Sequence, residues 1–458
     1  MKLTTADAYK LMHDGALVLA AVEQNGMRID VDLLDETIKK VERRIRKLEK
    51  LQKESEEWHL WKKRYGERSS LGSRHQLAKV LVEDMGHKVG AITKKNNIKM
   101  DEEQLSKIGG EFIRRYLDIE KLKKLKSTYL LGIRREVLDG FLHPVFNLNM
   151  VRTFRSSSSD PNFQNIPIRD KKLGKLIRSC FIPRDGHVLV EIDYSALEVR
   201  IAACYHKDPV MLEYIADPSK DMHRDMAAEC FMLDPSEVQK ELRFYAKNCF
   251  VFPEFYGSYW RSVAPNLWEN CRALKLADGT SIEEHLACNG IDGLGEHESN
   301  YRTGRISSTG FYDHIRKVED DFWGRRFKVY ANWKEWWWNR YQDNGWFQMK
   351  TGFRCSGIMA RNDVINYPVQ GAAFHCLLWS LIQMVKLTRK WKTKIVGQIH
   401  DSIVADVHRD ELDDYLSLAK DVMTKRIRKA WPWIIVPLEI EVEVGEQNWF
   451  EKQEVKLP

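Results

Sequence analysis

Lys394-Ile-Val-Gly-Gln-Ile-His400-Asp401-Ser402-Ile-Val-Ala-Asp-Val407 consists of two short β-rich runs around a polar centre. β-Branched residues fill both runs and His400-Asp401-Ser402 lies between them, so the stretch predicts a tight hairpin. Far upstream, His187-Val-Leu-Val-Glu-Ile-Asp193 reads as a buried strand, entered through Asp185-Gly186 and ending on a carboxylate. Near the end, Leu438 to Val444 alternates apolar residues with Glu439, Glu441 and Glu443, the period of a half-exposed strand. No βαβ alternation links these strands, which favours an antiparallel sheet. Between Asp193 and Lys394 the pattern is mostly helical, interrupted by a Gly-, Asn- and Ser-rich stretch from Asn289 to Gly310. The fold class is therefore α+β, with a sheet whose halves are separated by a helical insertion.

Working outward, Thr5 to Gln24 reads as a helix closed by Gly26, in the left-handed conformation glycine tolerates. Leu34, Ile38, Val41, Ile45 and Leu48 then step by four and three, with Lys39, Lys40, Arg43, Arg44 and Lys47 on the other faces. A partner stripe runs from Phe112 through Tyr116, Ile119, Leu122 and Leu125 to Tyr129, beside Lys121, Lys123, Lys124 and Lys126. The pair is either an arm that grips phosphates or a solvated coiled coil, and the pattern alone favours the second. At 458 residues the chain exceeds one compact core, so two or three subdomains are expected. Its 43% hydrophobic and 30% charged residues exclude a disordered or fibrous class. Lys plus Arg at 73 against Asp plus Glu at 66 leaves +7, compatible with a polyanionic partner. The eight cysteines include no C-x-x-C pair and no signal peptide precedes them, so they read as reduced thiols of a cytoplasmic protein. No apolar run approaches membrane-spanning length.

Asp193 at a strand end and Asp401 at a hairpin tip occupy places where folds present functional groups. If a shared sheet brings them together they repel unless a cation lies between them. A hard, oxygen-ligated ion such as Mg²⁺ fits better than zinc, since no cysteine or second histidine accompanies them. Between them, Arg243 and Lys247 share a helix face as a two-point clamp suited to a phosphate chain. Phe252 and Tyr256, again four apart, form an aromatic platform on which a base could stack.

Asp193-Tyr-Ser-Ala-Leu-Glu198-Val-Arg200 resembles motif A of family A DNA polymerases, the bacterial polymerase-I-like enzymes. Arg243 to Gly257 is similar to their motif B, in a wording associated with phage members, and Gln398-Ile-His400-Asp401-Ser402 to motif C. Further matches are Arg155 to Arg169 (RSSSSDPNFQNIPIR), Asp221-Met-His223, Asn366-Tyr-Pro-Val-Gln370-Gly and the closing Gly445-Glu-Gln-Asn-Trp449. Val22 to Asp30 and Lys124 to Tyr129 resemble the family's thumb region. The resemblance implies a right-hand fold: an N-terminal palm-associated segment over 1–30, a thumb over 31–138, palm over 139–205 and 371–458, and helical fingers over 206–370. It implies a nucleotidyltransferase that extends a DNA primer on a template from dNTPs, with two Mg²⁺ ions, or Mn²⁺ in their place, held by Asp193, Asp401 and the Tyr194 carbonyl. Arg243, Lys247 and His223 would grip the triphosphate, with Lys247 also placed to protonate the leaving pyrophosphate. Phe252 and Tyr256 would flank the insertion site, and Glu198 would close the space of a ribose 2′-hydroxyl. Arg155, Asn162, Asn165, Arg169, Asn366, Gln370 and His400 would contact primer–template DNA, and Lys121, Lys124 and Lys126 the duplex phosphates. That reverses the preference for a merely solvated pair. A monomer is expected, in the host cytoplasm if phage-encoded, without a proofreading exonuclease in this stretch and so with room for a separate exonuclease or processivity subunit.

Departures from the family pattern are informative. Ser402 stands where motif C carries Glu, Ala196 where motif A carries Gln, Phe154 where a Gly precedes Arg155, and Asn362 where an Arg contacts template, with Arg361 adjacent as a stand-in. Motif B is one residue longer between Lys247 and Phe252, and Pro253 follows, which predicts a kink or π-turn over residues 248–253. The stretch from Pro265 to Trp323 is longer than the family's fingers require: a surface elaboration, or a contact for template or an accessory protein. Of fifteen tryptophans, four crowd into Trp333 to Trp338, which reads as packed core rather than a base-stacking surface, although stacking is physically available. Two other functions compete. A single-subunit RNA polymerase shares the palm chemistry and His-Asp-Ser, but Glu198 opposes it. A non-catalytic DNA-binding protein would not need both aspartates beside Arg243 and Lys247.

Overall fold

The computed structural model describes residues 2–87, 98, 100–168, 170–300 and 305–457. Helix α1 (Thr5–Asn25) opens with a reciprocal cap between Thr4 and Asp7 and ends at Gly26, whose φ is +61° but whose ψ is extended rather than left-handed helical. A side chain there would start 2.6 Å from the His143 ring, so the close approach and the positive φ both require glycine. Asp30 caps α2 (Val31–Lys53) by accepting from the Leu33 amide. Along α2 the anticipated stripe is buried at Leu34, Ile38, Val41 and Ile45, each contributing about 1.5–3 kcal/mol of burial. It packs on α3 (Gly110–Lys124), whose stripe continues through a π-helical turn at Leu125–Leu130. The buried Gln52 amide donates to the Phe112 carbonyl across that interface. Farther out, Trp58 and Trp61 join Leu77, Leu81 and Tyr116 in a small core separate from the main one.

The main core wraps a five-stranded antiparallel sheet. Its strands are β1 (His187–Tyr194), β2 (Lys394–Ile399), β3 (Ser402–His408), β4 (Ile440–Gly445) and β5 (Lys452–Glu454), in the spatial order β2-β3-β1-β4-β5. Central β1 is buried at Val188, Leu189, Val190 and Ile192, because helices and loops cover both of its faces. The predicted hairpin is β2–β3, turned by His400-Asp401, with His400 at φ +49°. Strand β4 starts two residues later than the alternation suggests. Val442 and Val444 point inward, while Glu441 is exposed and Glu443 pairs with Lys452.

Between β1 and β2 the chain is helical. Helix α4 (Leu197–His206) follows β1 directly, entered through Ala196 in the left-handed region, and α5 (Met222–Phe231) is capped by Asp221. Helix α6 (Lys240–Tyr245) runs into a π-helical turn at Ala246–Val251 and a last α-helical turn at Phe252–Phe255. The anticipated π-turn is thus present, two residues earlier than placed. The extra residue is absorbed by wider turns just ahead of Pro253, which has no amide to give to the ladder. Among its described residues the long stretch after Pro265 forms helices and a short hairpin and ends in α7 (Gly310–Asp321), after which α8 (Lys328–Asn344) follows. Trp333 and Trp337 are buried as expected of core, but Trp336 is half-exposed. The long helix α9 (Arg361–Leu387) runs back to the sheet, where Ser380 meets the buried Tyr194 hydroxyl at 2.9 Å.

Candidate active site

Strands β1 and β3 are neighbours, and their register sets Asp193 opposite Ser402, one residue from Asp401. The Tyr194 amide donates to the Asp401 carbonyl at 3.3 Å, so both aspartates stand on one rim of the sheet. Asp193 is exposed at the rim, but the protein mass packed around it partly desolvates its carboxyl and, with the charges of Asp401, Glu191 and Glu441, pushes it up to about 7. Burial and Glu198 push Asp401 up to about 6, against a partial offset by Arg155, whose Nη2 lies 3.8 Å from Asp401 Oδ1. That oxygen is buried without a hydrogen-bond partner. Two hard donors short of positive charge, one orphaned, suit a divalent cation. Among the described residues no third Asp, Glu, His or Cys completes a ligand cluster, so main-chain or substrate oxygens would have to fill it.

Glu191 was not anticipated. It lies two residues before Asp193 on the same face of β1, takes a hydrogen bond from Ser402 at 3.2 Å and another from Trp449 at 2.9 Å, and pairs with Lys452. A carboxylate is therefore beside Ser402 even though motif C lacks one. Strand alternation gave the only available signal.

Above the rim opens a cavity of about 380 Å³, and eight predicted site residues line it. Glu198 of α4 receives the Tyr256 hydroxyl and, at 3.2 Å, Arg155 Nη1. Asn366 of α9 donates to the Tyr256 carbonyl at 3.2 Å, with Gln370 one turn on. Lys247 lies with Nζ 5.2 Å from the centre of the Phe252 ring. Tyr330 of α8 also lines the cavity, a residue with no motif to announce it. A Cβ on Gly257, at φ +90°, would start 2.5 Å from Asn362 Oδ1, so this glycine lets α9 approach the platform.

The cationic clamp is divided. Lys247 faces the cavity, whereas Arg243 is bound to Asp221 at 2.5 Å, outside its lining. His223, two residues after Asp221 and donating its amide to that cap at 3.1 Å, is held down to about 4 by burial and by Lys247 and Arg243, hence neutral near pH 7, with Nδ1 buried and unpartnered. Asn162 and Asn165 are exposed at a 3₁₀ turn, and Asn162 accepts from Ser158 at 3.3 Å. His400 forms the hairpin tip; Arg169 lies outside the described residues. On the arm, Lys121 pairs with Glu102 at 2.7 Å and Lys126 with Glu42 at 2.9 Å, leaving Lys124 exposed. The arm is therefore less basic at its surface than its lysine run suggests. Arg361, expected to stand in for a missing arginine, is paired with Glu335. Phe154 sits at φ +58°, a conformation natural to the glycine it replaces, with its ring 4.9 Å from that of Phe353.

No helix among the described residues is long and apolar enough to cross a membrane. The sequence matches the model of DNA polymerase family A over residues 32–274 and 352–451, leaving 275–351 unmatched. A thermostable DNA polymerase I of Thermus filiformis is 30% identical over 442 residues, 95% of this chain and 47% of that protein. DNA polymerase I of Lactococcus lactis subsp. cremoris is 29% identical over 451 residues, 95% of this chain and 45% of that one. The chain spans about half the length of these relatives. In fold it is similar to the POL domain of Pol1 from M. smegmatis, solved with DNA primer-template and dNTP. The TM-score is 0.74 with 24% identity, over 96% of this chain and 70% of that one. The mixed architecture, the paired aspartates on one sheet rim and a family match over most of the sequence lead to one assignment: this chain belongs to DNA polymerase family A.

Proposed function

We propose that the chain is a template-directed DNA polymerase, adding deoxynucleotides to a primer 3′-hydroxyl and releasing pyrophosphate. The observation that carries this reading is the convergence of Asp193 and Asp401 beneath a cavity lined by Lys247, Phe252, Tyr256 and Glu198. Residues 31–138 would form the thumb, 206–370 the fingers, and 1–30, 139–205 and 371–458 the palm. Asp193, Asp401 and the Tyr194 carbonyl would hold two Mg²⁺ ions, or Mn²⁺, which when bound lower the pKa of the attacking hydroxyl and neutralise charge on the leaving group.

The chain's own groups account for the rest. Lys247 reaches the cavity and serves the triphosphate, as charge and as proton donor to the departing pyrophosphate. Neutral His223 donates or accepts a hydrogen bond there without adding charge, and Arg243 joins by exchanging Asp221 for phosphate oxygen. Tyr256 and Phe252 carry the incoming base. Arg155, Asn366, Gln370 and His400 meet the primer–template near its growing end, with Asn162, Asn165 and Arg169 along the template and Lys121, Lys124 and Lys126 on the duplex backbone. Glu198, held from two sides by Tyr256 and Arg155, occupies fixed room that a 2′-hydroxyl would need. This favours DNA over the RNA synthesis that His400-Asp401-Ser402 would also permit. Primer extension with each nucleotide class tests the choice: deoxynucleotides should be preferred by more than about a hundredfold in kcat/KM, and equal use of ribonucleotides would overturn it.

A further inference from the structure

A second cavity, of about 460 Å³, opens beside Tyr205 in the last turn of α4, farther along that helix than Glu198 and Ala202 of the nucleotide pocket. Six of its walls are the rings of Tyr205, Trp333, Trp336, Trp337, Trp346 and Trp433. Trp336 is 51% exposed, with the Arg340 guanidinium 5.4 Å from its ring centre. Lys350 lies 5.3 Å from the centre of Tyr205, and Lys2 completes the charged lining. Every ionisable side chain on the wall apart from the tyrosine is a cation, and no carboxylate lines it among the described residues. Burial, and to a lesser degree the nearby Lys207, push the Lys350 ammonium down from its ordinary value. Trp333 to Lys350 fall in the stretch the family model leaves unmatched, while Tyr205 and Trp433 fall in matched residues, so most of this wall lies outside the family match.

Flat ring faces beside unpaired cations, at nucleotide size, match the stacking platforms of single-strand binders. Helix α8 joins the two sites. Tyr330 lines the nucleotide pocket, and Trp336 follows about 9 Å along the axis. We infer that this cavity binds single-stranded DNA, taking a base of the unpaired template arm that template-directed extension leaves ahead of the primer end. The inference rests on the polymerase reading above.

Affinity for primer–template duplexes with a long 5′ template overhang, against the same duplex with a blunt end, tests it. The overhang should tighten binding by the unmodified chain about tenfold. Trp336→Ala and Arg340→Glu, both at exposed positions, should abolish that gain while leaving blunt-duplex affinity and the melting temperature unchanged. An overhang gain equal in the parent and both variants would overturn this inference alone, as would a gain cancelled by free dNTP at concentrations that merely fill the active site. A parent chain that binds no duplex would overturn both readings.

Discussion

Asp193 and Asp401 hold their protons more tightly in the folded chain than in an unfolded one, because partial desolvation at the rim and neighbouring carboxylates disfavour the charged forms. Without metal, their contribution to stability is present below about pH 4 and is lost as pH rises through about 6 to 7. A divalent cation takes the place of those protons. Millimolar Mg²⁺ should therefore raise the melting temperature more near pH 8 than near pH 5, and Asp193→Asn should shrink that difference. Equal shifts at both pH values would contradict the charge account of the rim. Glu198 admits a second test at this scale. Shortening it in Glu198→Ala releases Tyr256 and Arg155 and should relax discrimination against ribonucleotides by at least about tenfold in the ratio of kcat/KM values. Both aspartates and most of the pocket were legible because each sits in a local motif. Glu191 and Tyr330 were not, since their roles arise from a strand register and a helix packing that no local pattern encodes.

The segment Phe252–Phe255 that follows the π-turn is fastened from behind by groups of the unmatched region. Buried Glu254 accepts from the Trp323 indole at 2.8 Å, while its other oxygen has no partner. Burial and Glu319 raise its carboxyl above the usual carboxylate range, and Lys334 stands 3.2 Å from the centre of the Trp323 ring. Trp323→Phe leaves a second buried oxygen unsatisfied and should cost about 1–3 kcal/mol in urea unfolding. A different cap tests backbone strain: Met232 closes α5 at φ +53°, ψ +46° and is less than half exposed, so Met232→Gly, relieving the left-handed strain at the loss of some side-chain contact, should stabilise by about 0.5 kcal/mol. Helices such as α2 were readable from periodicity alone, and the π-turn from one surplus residue before Pro253. The tryptophan run suggests core over a stacking surface, and Trp333 and Trp337 are buried. Trp336 falls on the third face of α8, and nothing in the sequence says that this face meets solvent.

Across the whole molecule, the formal +7 is spread less simply than the lysine runs suggest. Helix α2 supplies Glu42 and Glu49 to neutralise Lys126 and Lys123 across the arm, a pairing that only the packing of α2 on α3 reveals. Removing the exposed Lys124 should lower the slope of log affinity for duplex against log salt by about one. Lys126→Ala, which also frees Glu42, should weaken binding with a different salt response. The α+β class, the antiparallel sheet and its helical insertion follow from strand and helix patterns, while the strand order depends on contacts between distant segments. The central claim is that the Asp193–Asp401 rim performs metal-dependent primer extension, and the most direct measurement compares the parent chain with Asp401→Ala on a primed template in Mg²⁺. The account predicts extension by the parent and a loss of more than about a hundredfold in the variant, with duplex affinity and melting behaviour retained. A parent chain that extends no primer, or a variant that extends as fast, would contradict it.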